Sequence, residues 1–186
     1  MRIIAGRARR TNLVAPKGLN TRPTPDMAKE GLFNIISEHV PGAVVLDLFC
    51  GSGAIGLEAL SRGGLAAVFV DSSRHAIEAL AQNIEKTKLV QFCTVMQISM
   101  AKAIHKLSID GHRFDIIFLD PPYETDLLRQ TLESLAATDL LADNGLIIAE
   151  TDSKFGESVP EVKAFTLTDT RCYGRTCFLF YRKACL

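Results

Sequence analysis

The sequence predicts an α/β fold in which five parallel strands form a sheet with helices on both faces, followed by a C-terminal antiparallel hairpin. Three observations support this prediction. Short apolar runs alternate with helical patterns between residues 44 and 151. These runs are continuously apolar, as strands that are buried on both faces require. The last two runs, 164–173 and 176–182, are separated by only Gly174 and Arg175, which leaves no room for a crossover helix.

The elements follow in a regular order along the chain. The segment Thr24-Pro25-Asp26 predicts a helix start with Thr24 as N-cap, and apolar spacing continues this helix to about His39. The five strands are predicted at 44–50, 66–71, 92–98, 114–120 and 145–151. Further helices are predicted after the first strand, over 73–88 and over 126–137.

Composition limits the class of protein. With 186 residues, 47% of them hydrophobic, the chain suffices for one domain with a buried core. No apolar run reaches the roughly 18 residues of a membrane span, and we expect a soluble, cytoplasmic protein that contacts no membrane. The five cysteines lack metal-ligand spacing, so no metal is expected. Cys172 and Cys177 are expected to face each other across the hairpin as free thiols.

Charge is distributed unevenly although the net charge is zero. Residues 1–25 contain six basic residues and no acidic one, so the remainder of the chain is negative. This asymmetry predicts two parts: a basic arm over 1–25 that binds nucleic acid, and a domain over 26–186. A short basic terminus is also often only a solvated tail, and composition alone does not separate the two interpretations.

A glycine-rich turn follows the first strand and predicts a nucleotide-like cofactor. Gly51-x-Gly53-x-x-Gly56 alone satisfies the dinucleotide fingerprint, and we expect its glycines to let the backbone approach the ligand. Asp47, inside the strand, favours a positively charged ligand such as S-adenosylmethionine over a pyrophosphate. Asp71, at the end of the second strand, is expected to accept hydrogen bonds from ribose hydroxyls. A structural Asp47 and a nicotinamide cofactor remain as alternatives.

A second motif, Asp120-Pro121-Pro122-Tyr123, follows the fourth strand. Because parallel strands end at the same edge of a sheet, it is expected beside the glycine-rich turn. There the Asp120 carboxylate and the Pro121 carbonyl would accept the two hydrogens of an exocyclic amino group, and Tyr123 would stack on the base. In-line positioning would supply most of the acceleration. The same motif also occurs as an ordinary turn.

The chain resembles the RsmD-type 16S rRNA guanine-N2 methyltransferases, which belong to the class I methyltransferases with a Rossmann-like sheet. The resemblance extends over essentially the whole chain and rests on motifs in the arm, the first helix, the glycine-rich turn and the terminal hairpin: 2–6, 22–24, 30–34, 46–60, 120–123 and 173–176. The chain departs from the family at Ala8, Arg10 and Met27, where an aromatic residue, a glycine and an arginine are usual.

The resemblance implies a methyl transfer from S-adenosylmethionine to the exocyclic N2 of guanine 966, in 16S rRNA within a partly assembled 30S subunit. The implied catalytic residues are Asp120, Pro121 and Tyr123. The cofactor-binding set is Asp47, Phe49, Gly51, Gly53, Asp71, Ser99 and Met100. The RNA-binding set in the arm is Arg2, Arg7, Arg9, Arg10, Arg22 and Thr24. Phosphate contacts of the arm would give salt-dependent affinity, and RNA shape together with a flipped base would give specificity.

Two further hypotheses stay open from the sequence. The motif Asp120–Tyr123 also serves DNA adenine-N6 methyltransferases, although the chain has no room for a target-recognition domain. A non-catalytic rRNA-binding assembly factor would keep the fold without the chemistry. Intact Asp47 and Asp120 favour the enzyme.

Overall fold

The computed structural model describes residues 1–16, 24–122, 126–155 and 160–184. The helices are α1 (Asp26–Ile35), α2 (Ala54–Ser61), α3 (Arg74–Thr87), α4 (Met100–Ile109) and α5 (Leu127–Ala136). The strands are β1 (Val44–Leu48), β2 (Ala66–Val70), β3 (Cys93–Met96), β4 (Phe114–Leu119), β5 (Leu141–Asp152), β6 (Phe165–Tyr173) and β7 (Thr176–Lys183).

The strands form one seven-stranded sheet in the order β3-β2-β1-β4-β5-β7-β6. The first five strands are parallel, and β7 pairs antiparallel with both β5 and β6. The predicted sheet of five parallel strands with a terminal hairpin is therefore confirmed. The order reverses at β1, so the edge where β1 and β4 end is the place where sheets of this kind bind ligands.

Helices cover both faces of the sheet through two apolar clusters. On one face Phe33 of α1, Leu57 of α2 and Leu80 of α3 pack against the strands. On the other face Ile104 of α4 and Leu132 of α5 do the same. This two-sided burial explains the continuously apolar strands. Within the described residues, the longest apolar helix falls short of what a membrane crossing needs.

Three local predictions differ from the structure. Helix α1 ends at Ile35 rather than near His39, and β5 begins at Leu141, four residues before the predicted start at Gly145. The helix α4 was not predicted, although Ala103, Ile104 and Leu107 recur at helical spacing on its buried face. The His39 N–H donates to the carbonyl of Ile36 in a turn that follows α1, and Leu141 pairs with Phe114 of β4, which extends β5 toward its start.

The N-cap prediction for α1 is also wrong. Pro25 occupies the N-cap position, and α1 has no side-chain cap. The Thr24 hydroxyl instead donates to Oε2 of Glu150 on β5, at 2.7 Å. This charge-assisted hydrogen bond ties the Thr24 side chain to β5.

The terminal hairpin places Cys172 of β6 directly opposite Cys177 of β7. The predicted facing pair is confirmed, but the two residues form a disulfide rather than free thiols. Their Cα atoms are 4.0 Å apart, so the cross-strand register itself brings the two sulfurs within bonding distance.

Candidate active site

The glycine-rich turn between β1 and α2 is held by contacts within the protein. The Cys50 N–H donates to the carbonyl of Val70, and the Gly53 N–H donates to the carbonyl of Cys50. Gly51 and Gly53 both have positive φ angles, of 53° and 75°. A Cβ at Gly53 would collide with Leu80 of α3, whereas one at Gly51 would meet open space. The left-handed φ favours glycine at both positions, and at position 53 the side chain of Leu80 lies where a Cβ would point.

Asp71, directly after β2, orients this turn. Its Oδ2 accepts the Gly51 N–H at 2.9 Å, and its Oδ1 accepts the Ser73 N–H at 2.8 Å. A carboxylate has about four acceptor positions, so these two bonds leave capacity for further donors. Asp71 thus has a structural role that the sequence did not predict, and it keeps acceptor capacity at the cavity that it lines.

A cavity of about 330 Å³ opens beside Asp71 at the carboxyl edge of the sheet. Its lining includes four of the predicted cofactor residues, namely Phe49, Asp71, Ser99 and Met100. Leu127 and Gln130 of α5 also line it and were not predicted. α5 follows the Asp120–Tyr123 motif closely in the sequence, so its start necessarily lies near the same edge. This short separation could have indicated that residues of α5 line the cavity.

Phe49, the first residue after β1, carries an unusual backbone conformation. Its φ is 64°, in the left-handed region that bulky residues rarely adopt. Such strain persists only where the surrounding structure imposes it, and it is concentrated at ligand sites. Here it turns the chain sharply out of β1 so that Phe49 lines the cavity.

Asp47 lies beneath the turn and not in the cavity lining. Its carboxylate is 4% exposed, and its Oδ2 accepts the N–H of Gly56 in the first turn of α2, at 2.9 Å. Burial raises the pKa of Asp47 to about 7, and the charge of Asp71 acts in the same direction. The Asp47 carboxyl group behind the glycine-rich turn can therefore be either protonated or ionised near neutral pH. A cation in the cavity would favour the ionised form.

The variant Asp47→Asn is expected to be more stable than the wild type at pH 8. Because the folded-state pKa lies above the ordinary value near 3.8, the folded protein binds more protons than the unfolded chain between pH 4 and 7. Wild-type stability is therefore lost as pH rises through that window. Asparagine can still accept the Gly56 N–H without a charge, which gives a gain of up to about 4 kcal/mol. Denaturant unfolding at pH 5 and pH 8 measures it.

A matched control is Asp115→Asn on β4. Asp115 also accepts a backbone N–H, that of Val44, but it is exposed. Its variant is expected to change the free energy of unfolding by less than about 0.5 kcal/mol at both pH values. An Asp47→Asn protein that is less stable than the wild type at pH 8 would contradict a buried, partly protonated Asp47.

The Asp120–Tyr123 motif follows β4, which pairs with β1 on one side and β5 on the other. Leu119, the last residue of β4, lies opposite Leu48, the last residue of β1. Asp120 therefore lies at the same edge as the cavity, beside Phe49. Asp120 is exposed and Pro121 is buried, whereas Tyr123 lies outside the described residues.

The basic arm is docked onto the domain through a buried carboxylate. Glu58 of α2 accepts the N–H groups of Ile4 and Ala5 at 2.7 and 3.0 Å. It also forms ion pairs with Lys29 of α1, at 3.2 Å, and Arg62, at 2.8 Å. The side chains of Glu58 and Lys29 are both fully buried. A buried charge requires such partners, so the arm backbone is part of the folded structure.

A second buried residue connects the arm to the glycine-rich turn. Asn83 of α3 is fully buried and exchanges two hydrogen bonds with the backbone of Val14, at 2.7 and 2.9 Å. Its amide also donates to the carbonyl of Ser52 in the glycine-rich turn, at 2.9 Å. The side chain of Asn83 thus forms hydrogen bonds with both the arm and the glycine-rich turn.

The arginines of the arm differ in their surroundings. Arg2 pairs with Asp26, and Arg7 donates to the carbonyl of Leu60 while its guanidinium stacks on Phe92. Arg9 and Arg10 are exposed, and in the described part of the chain no ion pair involves them. The φ of Arg10 is 71°, which accounts for the glycine usual there. Arg22 lies outside the described residues.

A seven-stranded sheet of this order, with a glycine-rich turn, an acidic residue after β2 and Asp-Pro-Pro-Tyr after β4, defines an α/β methyltransferase of class I.

The family model "Conserved hypothetical protein 95" matches residues 1–182. Ribosomal RNA small subunit methyltransferase D of Escherichia coli is 33% identical, over 98% of this chain and 90% of that protein. YlbH of Bacillus subtilis is 36% identical over 98% and 99%. A Thermus thermophilus structure superposes with a TM-score of 0.84, at 30% identity over 98% and 99%.

These similarities extend over the arm, the glycine-rich turn and the hairpin alike. The chain belongs to the family of ribosomal RNA small subunit methyltransferase D.

Proposed function

We propose that the protein transfers a methyl group from S-adenosylmethionine to the exocyclic N2 of a guanine in 16S rRNA, with guanine 966 as the expected target. The observation that carries this proposal is the position of Asp120, which lies beside a cavity lined by predicted cofactor residues. The family relationship to ribosomal RNA small subunit methyltransferase D supports the same substrate class. We expect the substrate to be a partly assembled small subunit, because the net charge of zero gives little affinity for short, unfolded RNA.

The residues around the cavity suit the chemical groups of S-adenosylmethionine. Phe49, Ile98 and Met100 offer an apolar lining for the adenine ring. Asp71 offers acceptors for the ribose hydroxyls, and the ionised form of Asp47 favours the positive charge. Ser99 is the N-cap of α4, yet its side chain caps no helical N–H, so its hydroxyl is a candidate contact for the adenine edge.

The role proposed for Asp120 is to prepare a weak nucleophile. The lone pair of an exocyclic amine is delocalised into the ring, and hydrogen bonds to the Asp120 carboxylate and the Pro121 carbonyl would orient that lone pair. When bound, S-adenosylmethionine would supply an electrophilic methyl group to which N2 forms its new bond, and the sulfur would keep the electron pair of the bond that breaks. N2 then loses a proton, which Asp120 accepts and passes to water. Tyr123 is proposed to stack on the base.

The proposed RNA contacts begin with the exposed arginines of the arm. Arg9 and Arg10 project from a docked backbone, and Arg2 and Arg7 lie on the same segment. Contacts of this kind with phosphates supply affinity and register but no sequence information. Arg22 and Thr24 are proposed to extend the same path toward the catalytic edge, where Thr24 contacts Glu150.

The identity of the methylated nucleotide tests this function. Mass spectrometry of 16S rRNA from a strain that lacks the gene is expected to show loss of one N2-methylguanosine. The wild-type gene is expected to restore that nucleotide, whereas an Asp120→Ala gene is not. If the modification pattern of the deletion strain were unchanged, or if the lost nucleotide were not a methylguanosine, the proposed function would be wrong.

A further inference from the structure

Glu150 lies beside Asp120 at the carboxyl edge, and the sequence did not single it out. In the β4–β5 register Leu119 is opposite Ala149, so the next residues along, Asp120 and Glu150, are neighbours. Two residues earlier Phe118 and Ile148 are also opposite each other, and both belong to the same apolar cluster. By alternation Asp120 and Glu150 therefore fall on one face of the sheet.

The surroundings of Glu150 are those of a positioned acceptor. The residue is 6% exposed, and its Oε2 accepts the Thr24 hydroxyl at 2.7 Å. A carboxylate has about four acceptor positions, so two carboxylates at neighbouring positions of one edge can together accept from a ligand with several donors. Asp152, two residues further along β5, pairs with Arg175.

Guanine is a base with adjacent donors on one edge. Its N1–H and N2 amino group lie side by side, whereas adenine presents an N6 amino group beside an N1 acceptor. Strands are about 4.8 Å apart, and glutamate is one methylene longer than aspartate, so carboxylates on neighbouring strands can converge on adjacent donors. We propose that Glu150 is a specificity-determining residue that accepts the N1–H of the target guanine while Asp120 accepts from N2, an inference that rests on the proposed function.

The motif Asp-Pro-Pro-Tyr alone does not distinguish guanine from adenine. A second acceptor at Glu150 would make the site selective for guanine. The N1 of adenine is itself an acceptor, so it would be repelled by the Glu150 carboxylate. That buried carboxylate would also be left without the donor that guanine provides, which is strongly unfavourable. Sites that are built to hydrogen-bond one group reject analogues that lack it far better than apolar pockets do. The low local dielectric at a residue as buried as Glu150 strengthens the effect.

The test uses small-subunit particles that carry guanosine or 2-aminopurine at the target nucleotide. 2-Aminopurine keeps the exocyclic N2 but has an acceptor at N1. The wild type is expected to prefer guanosine by about 100-fold or more in kcat/KM. In Glu150→Gln the amide can donate to that N1, so the preference is expected to fall at least about tenfold while methylation of the 2-aminopurine particle rises. Asp152→Asn is the matched control and is expected to keep the wild-type preference.

The outcomes separate this inference from the proposed function. Wild-type enzyme that fails to methylate guanosine particles contradicts the proposed function itself. Glu150→Gln that keeps both the wild-type preference and the wild-type rate overturns the role of Glu150 alone. If Glu150→Gln does not fold, as judged by its melting and by binding of S-adenosylhomocysteine, Glu150→Asp replaces it. That variant is expected to keep the guanosine preference with kcat lowered at least tenfold, and an unchanged kcat would overturn the proposal.

Discussion

Replacing Asp120 with alanine is expected to lower kcat for methyl transfer by about 100- to 10,000-fold, the usual range for removing a positioned acid or base. Asp120 is exposed at the carboxyl edge next to the cavity, so its loss leaves the apolar core intact. The melting temperature and the affinity for S-adenosylhomocysteine are therefore expected to stay near the wild-type values. Single-turnover methylation of small-subunit particles measures the effect.

Two further variants make this prediction specific. Asp120→Asn keeps one carbonyl acceptor for the amino group but cannot take up its proton, so an intermediate rate is expected. Asp139→Ala, at an exposed position after α5, is expected to have the wild-type rate. If Asp120→Ala retained more than half of the wild-type kcat, the residue would have no part in preparing the nucleophile.

Replacing Glu58 with alanine is expected to destabilise the protein by about 3–5 kcal/mol, the range measured for breaking a buried ion pair. The substitution leaves the Lys29 ammonium fully buried without its carboxylate, and it removes the acceptor of the Ile4 and Ala5 N–H groups. Burial already lowers the pKa of Lys29, and Glu58 opposes that shift. Equilibrium denaturation in urea measures the loss.

The control is Glu78→Ala, which removes an exposed ion pair with Arg74 on α3. That change is expected to have little effect on the free energy of unfolding, because solvent screens an exposed ion pair. The double variant Lys29→Met/Glu58→Gln is expected to recover part of the stability, because the fully buried ammonium of Lys29 is then absent as well. A Glu58→Ala protein as stable as Glu78→Ala would mean that the arm is not anchored through Glu58.

This anchoring changes how RNA binding by the arm is best tested. Deleting the first 20 or so residues would expose the carboxylate of Glu58 and the amide of Asn83, and would thus disturb α2 and the glycine-rich turn as well. Arg9→Ala/Arg10→Ala removes exposed charge while leaving these backbone contacts in place. It is the substitution that separates RNA affinity from folding.

The sheet and the edge that carries the site were predictable because they depend on local patterns. Continuous apolar runs identify buried parallel strands, and Asp47, Gly51 and Asp120 each follow or lie in such a run. Ser99 and Met100, which the family resemblance implied, also line the cavity. The terminal hairpin was predictable because two residues between strands allow one geometry only.

The remaining features depend on partners that are distant in sequence. Thr24 fits an N-cap locally, yet its hydroxyl bonds to Glu150, 126 positions away. Asn83 lies on a helix with an ordinary pattern, and nothing near it indicates a contact with Val14 or Ser52. Leu80 of α3 lies next to Gly53, 27 positions earlier in the chain, a contact that the glycine pattern does not indicate. Such pairings follow only from the assembled tertiary structure.

The docking of the arm also has a consequence for the order in which the chain acquires structure during translation. Ile4 pairs with Glu58, 54 positions later, and Val14 pairs with Asn83, 69 positions later. Synthesis delivers the N-terminus first. The arm therefore leaves the ribosome before α2 and α3, and it has no docking site until they have followed it. The arginines of the arm reach their final positions only on a chain whose glycine-rich turn has already been made.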